Sequence, residues 1–362
     1  MPVKEKLLEK NFNLIQEDFL FHILEQYNMY RWDIIPLIKK NKSILDINRQ
    51  TETAKKLVIR HENKLYFIKE FPWYCSEQEY VDDQLKFQKF LHDENFKTPK
   101  IIETKDGKLF SKGKEHSNYF YIQEFINGNA WTKSKYEIKI IGQFLSDFHN
   151  LSEKYRAQKI GTAKEETVFE LANSMLNLLE NKYNTNKVIL SSEHSDNLNK
   201  FLNTNRSLIK SIEESARKKG YGKKKIIVHG DFNPANLIFD KENKKIKSVI
   251  DFNNMCLDDA SHDVAEAILH HTYINYKNKT TIYEKIPDVI NEEWFLEFCK
   301  SYSNKKRLNE VKPYLAEVIT CITIELSALG VICGDYKISD LKPLLYNNKK
   351  MLKEAKKLVD KI

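Results

Sequence analysis

Strand-forming and helix-forming segments are segregated along this chain, and that segregation leaves few architectures open. Before Gly128 the sequence reads as short β runs: "SILDINRQ", "KKLVIRHE", "KLYFIKEF", a segment around residues 108–110, and "NYFYIQEF". Each is rich in β-branched or aromatic residues and bounded by turn residues. The polar His61-Glu62-Asn63 turn joins the second run to the third. One helix interrupts them: "SEQEYVDDQLKFQKFLHDENF" places Val81, Leu85, Phe87, Phe90 and Leu91 on a helical stripe, with Lys97-Thr98-Pro99 as its stop. Helical periodicity also opens the first fifty residues. After Gly128, residues 135–220 and everything beyond Asp263 are helical in pattern, with a single hairpin as the exception. The expectation is an α+β fold of two lobes. Residues 1–126 form a small, mainly antiparallel β lobe with one helix, and 127–362 a larger, mainly helical lobe carrying the hairpin.

Composition narrows the class. Of 362 residues 41% are hydrophobic and 30% charged, and 18 Tyr and 20 Phe supply large side chains for a core, so the chain is globular rather than disordered. The formal charge of +8 alone invites a nucleic-acid or phosphate partner, but 59 basic residues spread against 51 acidic ones read rather as a solvated surface. Cysteines 75, 256, 299, 321 and 333 are scattered and odd in number, with no CxxC pair, which argues for reduced thiols rather than a disulfide framework or a zinc knuckle. The apolar stretch "YLAEVITCITIELSALGVICG" is broken by Glu317 and Glu325 and is expected to be a buried helix, not a membrane span. The mixed-charge start "MPVKEKLLEKNF" is not a secretory signal, so the expected location is cytoplasmic.

The hairpin is "IIVHGDFNPANLIFDKENKKIKSVIDFNN", residues 226–254. "NLIFD" and "IKSVID" have strand texture, and Lys241-Glu242-Asn243-Lys244 makes a polar turn between them. The start of one arm then lies beside the end of the other, which brings Asn236 and Asp251 together at the open end. An amide oxygen and a carboxylate are hard donors of the kind magnesium takes alongside phosphates and waters. Asp231, on the loop leading in, is a second carboxylate able to accept a proton from an attacking hydroxyl. Gly230 permits a tight turn and Pro234 stiffens it. His229 is expected to serve the loop's structure rather than its chemistry.

"VHGDFNPANLIFD", then "VIDFNN" and "DDASHDVAEAIL", resembles the aminoglycoside phosphotransferase and choline kinase superfamily, whose fold is protein-kinase-like. The family pattern is H-G-D-x-x-x-x-N, then I-D-[FW], then D-[LV]-A, and the resemblance runs from about Ser43 to Leu269. It implies that Asp231 is the catalytic aspartate, that Asn236 and Asp251 hold magnesium, and that Asp263 braces the catalytic loop. It also asks for a strand lysine at the nucleotide phosphates. Lys69 is the candidate, on the face shared by Leu65, Phe67 and Phe71. The usual helix Glu that pairs with this lysine falls on Gln84, so a neighbouring carboxylate, Asp83, is expected in its place. The phosphate loop has no glycine, leaving Arg49, Thr51 and Thr53 as candidate contacts. The linker Gln123, Glu124 and Phe125 is expected to pass beside the adenine.

The expected activity is ATP- and magnesium-dependent transfer of a phosphoryl group to a hydroxyl of a small molecule such as an amino sugar or amino alcohol. Asp258 and Asp259 read either as a site for a cationic acceptor or as a solvated turn. Trp131, Tyr273, Tyr276 and Trp294 are either acceptor walls or core. Gln84 and the glycine-free loop motivate the alternative of a kinase-like binding or structural protein. Only "FNNMCLDDASH" separates Asp251 from the next helix, which is short for a protein kinase's peptide platform. No nucleic-acid or membrane partner is expected, and the chain is read as a monomer or homodimer.

Overall fold

The structure, a computed structural model, describes residues 17–35, 56–72, 77–112, 119–157, 165–185, 191–272 and 290–362. The chain divides into two compact units: Met1–Thr132 with Glu153–Lys164 and Pro234–Met255, and Lys133–Ser152 with Glu165–Asn233 and Cys256–Ile362.

The first unit is built on an antiparallel sheet. After helix α1 (Glu17–Glu25) come β1 (Asp33–Ile34), β2 (Lys56–His61), β3 (Lys64–Glu70), helix α2 (Gln78–Asp93), β4 (Ile101–Ile102), β5 (Ser111–Lys112) and β6 (Tyr119–Glu124). The spatial order is β1-β2-β3-β6-β4, with β5 also on β6, so the described sheet has six strands rather than the expected five. The extra edge pieces are two residues long and too short to give a period-two signal. The expected strand over 43–50 lies outside the described residues. The β2–β3 register is set by a turn in which Glu62 and Asn63 both have positive φ, 47° and 62°. That is the primed turn whose twist matches a hairpin. It pairs His61 with Lys64 and, five residues further out along the ladder, Lys56 with Lys69.

Period two then divides the sheet. Leu57, Ile59, Ile68, Phe120 and Ile122 point to one side, where Leu20, Ile23, Leu24 and Tyr27 of α1 and its exit cover them. Phe71, Tyr119 and Tyr121 point to the other, where Val81 and Leu85 of α2 pack. The hairpin belongs to this same unit. A 3-10 turn (Pro234–Asn236) leads into β8 (Leu237–Phe239), which pairs with β9 (Ile246–Val249).

The second unit is helical. It holds α4 (Val168–Thr185), α5 (Ser192–Lys219), β7 (Lys225–Val228), β10 (Cys256–Asp259), α6 (Ser261–His271), α7 (Glu292–Ser301), α8 (Lys305–Val311), α9 (Leu315–Cys333) and α10 (Leu341–Val359). Residues 135–152 of helix α3 (Lys135–Ala157) also belong to it. The apolar stretch is α9, which packs against α4, α5, α6 and α10 as a core helix, as its two glutamates implied. Glu317, 1% exposed, meets Lys219 Nζ at 2.5 Å and accepts from Ser215 Oγ at 3.0 Å. A buried carboxylate persists only with such partners. The four described cysteines are free thiols.

The β2–β3 turn is open to a direct check. Asn63→Gly, which removes the Cβ from a left-handed position, should leave the melting temperature unchanged or slightly raised. Asn63→Val should lower stability by about 1–2 kcal/mol, read by thermal melting followed by far-UV circular dichroism.

Candidate active site

One cleft in the first unit collects six of the residues that the sequence singled out, Lys69, Gln123, Glu124, Phe125, Asn236 and Asp251. Lys56, Phe67, Lys69, Tyr121, Gln123, Glu124, Phe125, Gly128, Asn236 and Asp251 all line it, and it is open to solvent.

Lys69 stands on the α2-facing side of the sheet and is 2% exposed. Its Nζ donates to Asp251 Oδ1 at 2.5 Å, so the carboxylate seen meeting this buried ammonium comes from the hairpin. Asp83, the expected partner, is itself buried on α2. On the other carboxylate oxygen, Lys56 Nζ lies 3.8 Å from Asp251 Oδ2.

The sequence placed Asn236 and Asp251 directly across the hairpin, and the register corrects this by one residue. Leu237 pairs with Val249, so Asn236 stands opposite Ile250, whose N–H donates to Asn236 O at 3.0 Å. Asp251 lies just beyond the ladder with φ 68° and ψ 66°. A non-glycine residue in this left-handed region persists only when its surroundings fix it. Here α2 supplies the fixing. Tyr80 donates its hydroxyl to Asn253 O at 2.6 Å and Met255 O at 3.1 Å, Gln84 Nε2 donates to Asn253 Oδ1 at 3.4 Å, and Phe87 meets Phe252 edge-on at 6.3 Å. Residues 80, 84 and 87 share one helical face. Gln84, which replaces the expected Glu, is thus part of a clamp on the turn after Asp251.

At the other end of β6, the Glu124 N–H donates to Lys100 O and the Phe125 N–H to Leu65 O, so neither backbone donor is open to a base in the cleft. Gln123 Oε1 accepts from Gln88 Nε2 at 3.0 Å. Gly128 closes the floor. A Cβ there would lie 2.3 Å from Phe239 O and 2.5 Å from Ile238 Cγ2, so only glycine lets the linker approach β8 this closely. Thr51 and Thr53 lie outside the described residues.

The amide oxygen of Asn236 and the carboxylate of Asp251 fit a hard divalent cation that brings phosphates and waters of its own. Among the described residues no group of three or more His, Cys, Asp and Glu is suited to holding a metal, so a self-sufficient zinc-type site is not indicated there.

The second unit holds Asp231 and its supports. The His229 and Gly230 N–H groups donate to Asp263 Oδ2 and Oδ1 at 2.8 and 3.0 Å, and Gly230 takes φ 69°. His149 Nε2 is 3.1 Å from Asp263 Oδ2 and its Nδ1 2.7 Å from Tyr302 Oη. A neutral His149, donating from Nε2 and accepting the tyrosine hydroxyl, satisfies all three groups. Burial pushes the Asp263 carboxyl up, but the His149 hydrogen bond and the His149, His229 and His262 rings outweigh it and hold it below the ordinary value. The next N–H, of Phe232, donates to Glu266 Oε2 at 2.7 Å. Asp231 itself is partly exposed. Its carbonyl accepts from Asn233 N at 2.8 Å, and its Oδ1 accepts from Asn233 Nδ2. The His229 ring packs at 6.4 Å from Phe148 and 5.9 Å from Phe232, in keeping with a structural part. In the chain Asp231 precedes Pro234 by three residues.

Asp258 and Asp259 are the clear correction. They lie on β10, paired with β7, and are 0% and 2% exposed. Asp258 accepts from Tyr221 Oη at 2.6 Å and Val168 N at 2.9 Å and sits 3.1 Å from His262 Nδ1. Asp259 accepts from Tyr314 Oη and Ser261 N, both at 2.9 Å. Their oxygens are spent on internal donors and are not offered to an acceptor. The sequence looked like a loop because a four-residue buried strand has too few positions to show alternation. Trp131 is 9% exposed and Trp294 partly exposed; Tyr273 and Tyr276 lie outside the described residues.

Sequence reasoning passed over Lys56, Tyr80, Asn233 and Glu266. Only Lys56 carried a usable signal: counting outward from the Glu62-Asn63 turn sets it opposite Lys69.

A model of the phosphotransferase enzyme family matches residues 49–280, well over half of the chain. The chain belongs to this family, and it is a small-molecule phosphotransferase, a kinase acting on a hydroxyl acceptor. Comparison with curated proteins gave no match. Among solved structures, an ethanolamine kinase of Plasmodium vivax has a TM-score of 0.58 at 16% identity, covering 97% of this chain and 93% of that one. An amicoumacin kinase in complex with AMP-PNP, Ca2+ and Ami has a TM-score of 0.56 at 12% identity, over 99% and 92% of the two chains. A microcompartment-associated aminopropanol kinase has a TM-score of 0.56 at 11% identity, over 93% and 96%. These likenesses show the protein-kinase-like α+β fold expected from the sequence.

Asp263 gives a test with a defined sign. Its folded-state pKa is depressed, so its contribution to stability is present above the ordinary carboxylate range and lost as pH falls through the depressed value. Asp263→Ala should destabilise by about 3–5 kcal/mol at pH 7, as removal of one member of a buried charged network does. Asp263→Asn should cost less and show a flatter loss of melting temperature below about pH 4 than the wild type. Melting temperatures across pH 2.5–7 decide it.

Proposed function

We propose that this enzyme transfers the γ-phosphoryl group of ATP, with magnesium, to a hydroxyl of a small amine such as an amino alcohol or amino sugar. The observation that carries the nucleotide half is the cleft in which Lys69, Asn236 and Asp251 meet, with Gln123–Phe125 along its wall. Complexes of relatives point the same way, since the amicoumacin kinase was solved with AMP-PNP. Asn236 and Asp251 would hold magnesium, which when bound neutralises charge on the phosphates. Lys69 would move its ammonium from Asp251 towards phosphate oxygens.

Asp231 takes the acceptor's proton as the acceptor oxygen–phosphorus bond forms and the bond to the ADP oxygen breaks in line. Asn233 and the braces on residues 229, 230 and 232 orient it, so that much of the catalysis lies in positioning.

The amine half rests on the crowding of carboxyl groups around Asp231 in the second unit. Glu266 is pushed well up, first by burial and then by the Asp231 and Asp263 carboxylates. Glu325 Oε2 on α9 is buried without a hydrogen-bond partner, and burial raises this carboxyl to about 7, with Asp231 and Glu166 adding to the shift and His262 opposing it. A cationic acceptor supplies what these groups lack. Ethanolamine and aminopropanol kinases share the fold.

ADP release should appear with ATP and magnesium when amino alcohols and amino sugars are screened as acceptors. Asp231→Asn should cut kcat by roughly 10²–10⁴ while the ATP dissociation constant, from calorimetry, changes by less than about threefold. Full turnover in that variant removes Asp231 from the chemistry. The acceptor KM should rise as pH falls through about 7, where Glu325 gains its proton. Glu325→Gln should raise KM at pH 8 and flatten that dependence; an unchanged profile dissociates Glu325 from acceptor binding.

A further inference from the structure

We infer that Lys56 is a second phosphate-binding lysine of the nucleotide cleft, acting beside Lys69, and that in the nucleotide-free protein both are parked on Asp251. The inference rests on the nucleotide reading above and adds a residue to it. Lys56 and Lys69 are direct cross-strand partners, so their side chains leave the sheet on the same face. Like charges directly opposite each other weaken a sheet unless an anion lies between them. Asp251 is that anion, with Oδ1 2.5 Å from Lys69 and Oδ2 3.8 Å from Lys56.

Both lysines line the cleft beside Asn236 and Asp251, where phosphates would lie. Glu124, the other acidic group on the described wall, lies three residues along β6 from Tyr121, the partner of Lys69, which is about 10 Å at strand spacing and towards the base end.

The arrangement also bears on the cation. With an ammonium facing each Asp251 oxygen, a divalent ion alone must displace a lysine to reach the carboxylate. Phosphates draw the lysines off first, so metal and nucleotide enter together.

The test uses the full chain and calorimetry with ATP, ADP, GTP and adenosine, each with and without magnesium. Lys56→Met should weaken binding of ATP and ADP by about tenfold or more, leave adenosine affinity unchanged, and melt within a degree or two of wild type. Lys56→Arg should recover most of the loss. Manganese alone, followed by electron paramagnetic resonance, should stay free in solution with wild-type protein and become bound when ATP is added. Wild-type nucleotide binding with unaltered ATP affinity in Lys56→Met overturns the inference alone. Wild-type protein that binds none of the nucleotides overturns the kinase reading and the inference with it. Equal losses for ATP and adenosine show a structural part for Lys56 and also overturn it.

Discussion

A buried ammonium cannot stand alone, and the first unit of this protein is organised around satisfying one. Lys69 sits almost fully out of water at the centre of the sheet, and a lone charge there would cost far more than the fold's net stability permits. Its neutralisation by Asp251 obliges the β8–β9 hairpin to dock so that the residue after β9 reaches the sheet. That reach requires a left-handed backbone at Asp251, which in turn requires the Tyr80, Gln84 and Phe87 clamp from α2. One charge thus ties three separate segments of the chain to a single point.

The same logic governs the loop carrying Asp231. Three N–H groups of one short loop, those of His229, Gly230 and Phe232, turn to face carboxyl oxygens on α6, of Asp263 and Glu266 one helical turn apart. Backbone donors directed at a rigid helix leave the aspartate side chain little freedom to wander. Asp231 is held by its neighbours' main chain as well as by its own side-chain contact with Asn233.

Departures from the family pattern become understandable in these terms. Where relatives are expected to pair the strand lysine with a helix glutamate, this chain has an amide that hydrogen-bonds Asn253, while the hairpin brings the Asp251 carboxylate to the lysine. Asp258 and Asp259 show the opposite hazard: two adjacent carboxylates invited a ligand, yet Tyr221, Tyr314 and His262 had already claimed them. Those partners come from positions 37, 55 and 4 residues away in the sequence, and no local pattern announces such distances.

By itself the sequence determined the segregation of strands from helices, the burial of α9 and the hairpin, and it named Lys69, Asp231, Asn236, Asp251 and Asp263 as candidates, because each is written in short-range periodicity or in a compact motif. Register errors of one residue and the fate of buried carboxylates were decided only by tertiary structure. Which donor a carboxylate meets depends on segments far apart in the chain, and desolvation, a property of the whole packed interior, selects among the partners that local spacing leaves open.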